Sequence, residues 1–249
     1  MIQVQDLIKG FGVKPVLKGV SFEVKDGETF VVIGKSGSGK SVLLKHIIGL
    51  LKADSGKVLI DGDNIALQSY RSLQKIRRKI GMVFQSGALF DSMTVGDNIA
   101  LALRHKEGFT KWSIKEKVIE ALETVGMADS VDLMPSELSG GMKKRVGFAR
   151  AMALDPQYIL YDEPTTGLDP VMTDRINRLM IKFKKQSEIT SIIVTHELRI
   201  VHDVADRVLL LNEGEVAFNG LPEEIIRSDD PVVSQFMTGD STLAIGEKA

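Results

Sequence analysis

Residues Gly34-Lys35-Ser36-Gly37-Ser38-Gly39-Lys40-Ser41 follow the pattern G-x-x-x-x-G-K-[ST]. The chemistry of such a loop is phosphate binding: its glycines let backbone N–H groups wrap around phosphate oxygens, and the helix that follows adds its dipole. Lys40 supplies a mobile positive charge for the β and γ phosphates, and the Ser41 hydroxyl is the kind of hard oxygen ligand that Mg²⁺ prefers. A second constellation stands at Ile159-Leu160-Tyr161-Asp162-Glu163, an apolar run ending in two carboxylates. Two acids after a strand, taken alone, read as a solvated turn. In a chain with a phosphate loop they fall where parallel α/β sheets hold ligands, with Asp162 holding Mg²⁺ through its waters and Glu163 polarising an attacking water as general base.

These groups need a scaffold, and the hydrophobic pattern predicts one. Ile2 to Leu7, Val20 to Val24 and Thr29 to Ile33 read as short strands, the last running directly into Gly34, and Val42 to Leu51 follows with helical spacing. Val58 to Ile60 reads as a strand before an Asp61-Gly62 turn, and Arg71 to Lys79 as a basic, solvated helix leading to the strand Ile80 to Phe84. From Gln85 to about Asp155 the period changes: Val95 to Leu103, Ile114 to Val125 and Gly140 to Leu154 repeat apolar residues at three and four, which predicts a helical insert. Strand patterns return at Tyr158 to Tyr161, Ser191 to Val194 and Val208 to Leu211, separated by helical stretches at Val171 to Lys185 and Leu198 to Ala205. Alternation of this kind predicts an α/β sheet with parallel strands at its centre. The tail from about Ser228 to Ala249 mixes small, polar and charged residues and reads as a frayed end, although Asp230 to Phe236 is apolar enough to cap its own domain or to dock on a neighbouring chain.

Further along, the sequence resembles the nucleotide-binding subunits of ABC transporters, from about Met1 to Leu221 and in that family's motif order. Leu138-Ser139-Gly140-Gly141-Met142 is similar to the LSGGQ signature and precedes a helix continuing Lys143-Lys144-Arg145-Val146; Gln85 stands where the Q-loop glutamine belongs. Thr166-Gly167-Leu168-Asp169 matches the D-loop, and His196 follows Ile193-Val194-Thr195 as the switch histidine does. The resemblance implies an α/β fold with a phosphate-loop NTPase (RecA-like) core at 1–84 and 156–221, carrying an N-terminal antiparallel β subdomain. It further implies an inserted α-helical subdomain at 85–155 and a C-terminal extension at 222–249. It implies ATP and Mg²⁺ as ligands, with nucleotide contacts along Gly34, Lys35, Ser36, Gly37, Ser38, Gly39, Lys40, Ser41 and Val42. Ser41, Gln85 and Asp162 would serve the metal, and Glu163, His196, Gln85 and Lys40 the reaction. Two copies would pack head to tail, each ATP held by one chain's Gly34 to Ser41 and the other's Ser139, Gly140 and Gly141. Two positions depart from the family. Phe11, in Lys9-Gly10-Phe11-Gly12, stands for the usual adenine-stacking tyrosine, with a core role as the alternative, and Met142 replaces the last signature glutamine. Stacking needs only a ring face, and the signature serine and glycines remain.

Phe84-Gln85-Ser86-Gly87-Ala88-Leu89-Phe90 and Leu133-Met134-Pro135-Ser136-Glu137-Leu138-Ser139-Gly140-Gly141-Met142 resemble the ATPases of the Mla and Mce lipid-transport systems of bacterial envelopes, in which Met142 is usual. That resemblance implies phospholipid transport, with inner-membrane permease subunits, an Mce-type lipid-binding protein and a small regulatory subunit as partners, and a peripheral place on the cytoplasmic face of the inner membrane. The rivals are the ATPase of another transporter, such as a polar amino acid importer, a soluble ABC ATPase acting on DNA or the ribosome, and a regulatory nucleotide-binding module without turnover. Composition weighs against the DNA or ribosome reading: a net charge of −1 over 249 residues offers no basic face, there is no heptad run, and the chain holds one phosphate loop. No apolar stretch reaches the ~20 residues a spanning helix needs, so membrane contact is expected through partners alone. The absence of cysteine removes disulfides and thiolate metal sites.

Overall fold

The computed structural model describes residues 1–104, 110–186 and 188–239. In chain order the elements are β1 (Ile2–Phe11), β2 (Lys14–Val24), β3 (Thr29–Ile33), α1 (Lys40–Ile47), β4 (Ser55–Ile60), β5 (Asp63–Asn64), α2 (Tyr70–Arg77), β6 (Ile80–Val83), α3 (Val95–Leu103), α4 (Lys111–Thr124), α5 (Gly140–Met152), β7 (Tyr158–Asp162), α6 (Pro170–Gln186), β8 (Thr190–Thr195), α7 (Leu198–Val204), β9 (Arg207–Asn212), β10 (Glu215–Gly220), α8 (Pro222–Ile226) and α9 (Pro231–Thr238). They divide into two compact units, residues 1–73 with 190–249, and residues 74–189.

The first unit holds an antiparallel sheet in the order β2-β1-β4-β5 and a second set of strands in the order β10-β9-β3-β8. In the antiparallel sheet alternate residues point inward, which buries Ile2, Val4, Leu7, Val20, Phe22 and Val24 on one face. Both strands of its first hairpin run longer than their apolar cores predict, because pairing continues to Phe11↔Lys14 around a turn whose Gly12 takes a φ of 61°. β3 has no such alternation. Phe30, Val31, Val32 and Ile33 are all fully buried, as a strand covered on both faces requires, and it runs parallel to both β8 and β9. Phe22 stacks on Phe30 with ring centroids 5.0 Å apart, which ties the two sheets of this unit together.

In the second unit β6 and β7 run parallel with Val83 opposite Tyr161, and α3, α4 and α5 pack on one another. No strand interrupts residues 85–155 among those described. Phe148 of α5 lies against Tyr161 of β7 and Phe183 of α6, at centroid distances of 5.4 and 6.3 Å, so the strand that ends in Asp162 is braced by helices.

Three expectations need correction. The helix after the phosphate loop ends at Ile47 rather than Leu51, because Gly49 turns left-handed at φ 66° and donates its N–H to the His46 carbonyl. The apolar run continues past the glycine with Leu50 and Leu51, so hydrophobic spacing alone extends the helix too far. β10 was missed; it returns antiparallel on β9 through a turn with Glu213 at φ 48° and Gly214 at φ 84°. The tail is not frayed throughout: Asp230 caps α9 by accepting from the N–H groups of Val232 and Val233 at 2.8 and 3.2 Å, Pro231 opens the helix, and Val233 is buried against the chain's own α8 and β10. The rest of the tail, residues 240–249, lies outside the described residues.

Candidate functional site

The phosphate loop belongs to the first unit, between β3 and α1. Gly34 is required by its neighbours: a Cβ there would collide with the carbonyl oxygen of Leu211 in β9 and with Ser38 Oγ. Gly37 and Gly39 take φ values of 82° and 106°, which completes a turn no other residue adopts cheaply. The turn is braced from inside by Lys40, which is 6% exposed and donates from Nζ to the carbonyls of Gly34 at 2.8 Å and Lys35 at 3.2 Å. α1 starts at Lys40, with Gly39 as its N-cap and no side-chain cap bond, so the positive end of the helix dipole faces the loop. Ser38 Oγ is buried without a hydrogen-bond partner among the described residues. Lys35 and Ser36 are exposed, and Ser41 and Val42 half-buried. This is the lining an anion needs.

His196 stands beside the loop through strand register. Ile33 pairs with Thr195, so Gly34 and His196 each follow the end of adjacent parallel strands. Its side chain is exposed while Thr195 is fully buried, and the Thr195 hydroxyl accepts from the Glu197 N–H at 3.0 Å, which fixes the bend after the strand. Phe11, at the end of β1, is half exposed, with Lys9 Nζ 5.5 Å from its ring centroid. That exposure removes the core alternative for Phe11 and leaves ring surface for stacking.

The second unit gathers the remaining residues. Val83↔Tyr161 is the last pair of β6 and β7, and Gln85 and Glu163 each lie two positions beyond it, on adjacent strand ends. Gln85 is exposed; Asp162 and Glu163 are half-buried. Glu163 holds a φ of 48°, the left-handed region, and its Oε2 accepts from Thr166 Oγ1 at 3.0 Å. A non-glycine residue held there stores strain of about 1–3 kcal/mol, which the surrounding packing must sustain. Ser139 caps α5, its Oγ accepting from the Met142 N–H at 3.3 Å. Gly140 is exposed with open space where a Cβ would be, and Gly141 is packed against the Met172 side chain so closely that a Cβ would strike it. Asp169, in the D-loop-like run, caps α6 by accepting from the N–H groups of Val171 and Met172, both at 2.9 Å.

Two residues missed from the sequence connect these segments. Lys144 of α5 is 5% exposed, and its ammonium donates to the carbonyls of Pro164 at 2.9 Å and Thr166 at 2.6 Å, the stretch directly after Glu163. Arg150, two turns further on, donates to the carbonyls of Ala88 at 2.6 Å and Gly87 at 3.0 Å, just after Gln85, and lies 5.9 Å from the Phe84 ring centroid. Burial lowers the Arg150 pKa from its ordinary value, yet a guanidinium stays charged. Gly87 lets α5 come close, since a Cβ there would sit 2.7 Å from the Lys143 carbonyl. The helix headed by Ser139 thus grips the backbone beside both Gln85 and Glu163. Lys144→Met removes the ammonium from the buried Pro164 carbonyl and the part-buried Thr166 carbonyl and frees the Glu163 loop, so the ATPase kcat is expected to fall about tenfold or more with nucleotide affinity little changed, and Lys144→Arg to recover part of it. Steady-state kinetics beside a direct nucleotide titration checks this; an undiminished kcat in Lys144→Met removes the positioning role.

Among the described residues no helix is long and apolar enough to cross a membrane, and no three His, Cys, Asp or Glu side chains cluster to hold a metal by themselves. The profile of the family described as ABC transporter matches residues 17–166. The chain is 42% identical over 245 residues, 98% of its length and 71% of the relative's, to a protein of Mycobacterium leprae named "Probable ribonucleotide transport ATP-binding protein mkl". It is 38% identical over 241 residues, 97% of its length and 91% of the relative's, to "Intermembrane phospholipid transport system ATP-binding protein MlaF" of Haemophilus influenzae. Among solved structures it superimposes with a TM-score of 0.82 at 31% identity on an ATP-binding cassette dimer captured after hydrolysis with ADP and Pi, covering 89% of this chain and 99% of that one.

Proposed function

The chain belongs to the ABC transporter family as one of its ATP-hydrolysing subunits, and on that premise we propose that it drives phospholipid transport between the membranes of a bacterial envelope. The observation that carries the cargo is the match to the phospholipid-transport relative, which spans 97% of this chain and 91% of that one. The mycobacterial relative carries a ribonucleotide name, so nucleotide or other polar cargo is the competing reading.

In this reading the loop Gly34 to Ser41, continued by Val42, takes the phosphates, and Phe11 stacks on adenine. Ser41, Gln85 and Asp162 provide oxygens for Mg²⁺, a fit that rests on their hard-donor chemistry, and the ion when bound offsets phosphate charge. Glu163 takes the proton of the attacking water, held toward it by Thr166 and by strand geometry; His196 donates to the γ phosphate; Lys40 stabilises charge on the transferred group. Ser139, Gly140 and Gly141 serve the nucleotide of a second copy. Residues 85–155 act as the helical subdomain, and the apolar recess within the second unit between Phe84, Phe90, Ala102 and Leu154, with Phe90 54% exposed, is the seat for a permease segment. Further partners are an Mce-type lipid-binding protein and a small regulatory subunit, which hold the chain on the cytoplasmic face of the inner membrane. Gentle purification from membranes, followed by identification of bound proteins and lipids, is expected to recover permease subunits with phospholipid. Recovery with a permease whose cargo is a nucleotide or amino acid, and no bound lipid, defeats the phospholipid reading.

A further inference from the structure

Phe11 ends β1 directly before the Gly12-Val13 turn, and its pairing with Lys14 is the last of the first hairpin. A half-exposed phenyl ring beside a turn changes rotamer freely unless something holds it. The second strand of the same hairpin lies against the phosphate loop: a Cβ at Gly39 would sit 2.8 Å from Leu17 Cδ2 and 3.1 Å from the Val16 carbonyl oxygen. The hairpin thus carries Phe11 into the neighbourhood of the loop, where the orientation of its ring bears on binding.

Lys9 holds that ring. Its ammonium stands over Phe11, 5.5 Å from the ring centroid and within the range of a cation–π contact. A loose surface lysine would add little, since its flexible stem lets it leave. The Lys9 side chain is only 16% exposed, and it is anchored: Nζ donates to Asp54 Oδ1 at 2.7 Å. Asp54, in the loop between α1 and β4, accepts the Gly10 N–H on Oδ2 at 2.7 Å and donates its own N–H to the Ile8 carbonyl at 3.0 Å. It is therefore tied three ways to residues 8–10, immediately before the ring. The Lys9 ammonium first, then the Gly10 N–H, hold the Asp54 carboxyl below its usual pKa, so the pair is intact at neutral pH. An exposed ion pair is worth little by itself, and one made only to staple the loop to β1 has no need to set its cation over an exposed ring.

We propose that Lys9 and Asp54 are a positioning pair for the nucleotide base: the ammonium covers one face of Phe11, fixes the ring and leaves the opposite face for adenine. This rests on the reading of Phe11 as the stacking residue and adds to it the groups that orient the ring. A ring ordered in advance does not have to be immobilised when the nucleotide arrives, which is how residues that never meet the ligand tighten its binding. The effect passes through Phe11 alone, so it belongs to the base and not to the phosphates.

The test is calorimetric titration of the full chain with ATP and with inorganic tripolyphosphate, which has the phosphates but no base, both with Mg²⁺ and at about 0.15 M salt to screen distant charge. Lys9→Met is expected to weaken ATP about three- to fivefold and to leave tripolyphosphate binding where it was, which also shows the fold intact. Lys9→Arg keeps a cation over the ring and should restore most of the loss. Phe11→Ala should weaken ATP about tenfold or more, the worth of a stacked base, and adding Lys9→Met to it should cost nothing further. The proposal is overturned if Lys9→Met leaves ATP affinity unchanged, weakens tripolyphosphate as much as ATP, or costs as much in the Phe11→Ala chain as in the unaltered one. Normal ATP binding by Phe11→Ala removes the stacking reading and the pair with it, whereas impaired Phe11→Ala beside normal Lys9→Met removes the pair alone.

Discussion

Glu163→Gln is expected to bind ATP, to pair with a second copy and to hydrolyse about 10²- to 10⁴-fold more slowly than the unaltered chain, the usual worth of a positioned general base. The substitution is chosen for what it preserves. Glutamine matches the shape of glutamate, and its carbonyl oxygen can still accept the Thr166 hydroxyl that Glu163 Oε2 accepts at 3.0 Å. It inherits the same left-handed backbone, φ 48°, and the Lys144 clamp on the Pro164 and Thr166 carbonyls is untouched. What disappears is the negative charge that draws a proton from water. ATP-bound dimers should therefore accumulate on gel filtration while phosphate release nearly stops. A variant that turns over at close to the normal rate takes the base role away from Glu163, and one that fails to bind ATP shows the carboxylate to be structural.

How much of this was legible in the sequence differs by residue. The phosphate loop is read locally, because its function resides in its own backbone: glycine spacing, one lysine, one hydroxyl, and a strand and helix either side. β3 was equally clear, as five residues buried throughout leave an unbroken apolar run. Lys144 and Arg150 were invisible for the opposite reason. In Lys143-Lys144-Arg145 a buried ammonium looks like any other charge on a solvated helix, and only the carbonyls of Pro164 and Thr166, some twenty positions away, make it different. Arg150 reaches back 62 residues to Ala88. The strain at Glu163 was hidden too, since nothing in Asp162-Glu163-Pro164 announces a left-handed glutamate. The start of α9 could have been found: Asp230-Pro231 is a cap followed by a first-turn proline, a signal outweighed in the reading by the polar residues around it.

Lys40→Ala is expected to lose nucleotide binding by about 10- to 100-fold, the range for a hydrogen bond to a charged group, because the ammonium both meets phosphate and holds the loop together. Its Nζ sits 2.8 and 3.2 Å from the Gly34 and Lys35 carbonyls, so alanine leaves those oxygens unbraced as well as removing the charge. Combined with Ser139→Ala, the same variant decides whether sites are shared between copies. If each ATP uses the loop of one chain and the signature serine of the other, a dimer of one Lys40→Ala chain with one Ser139→Ala chain places both lesions in a single site and leaves its second site whole. Either variant alone spoils both sites of its own dimer. Equal mixing then restores about one quarter of the normal number of sites, because about half of randomly formed dimers are mixed and each holds one intact site. A site built within one chain gives no recovery at any mixing ratio, since every chain in the tube carries a lesion. The ATPase rate plotted against mixing fraction therefore rises to a maximum at equal amounts in the shared arrangement and stays between the two single-variant rates in the other, a difference in shape that small errors in concentration do not imitate.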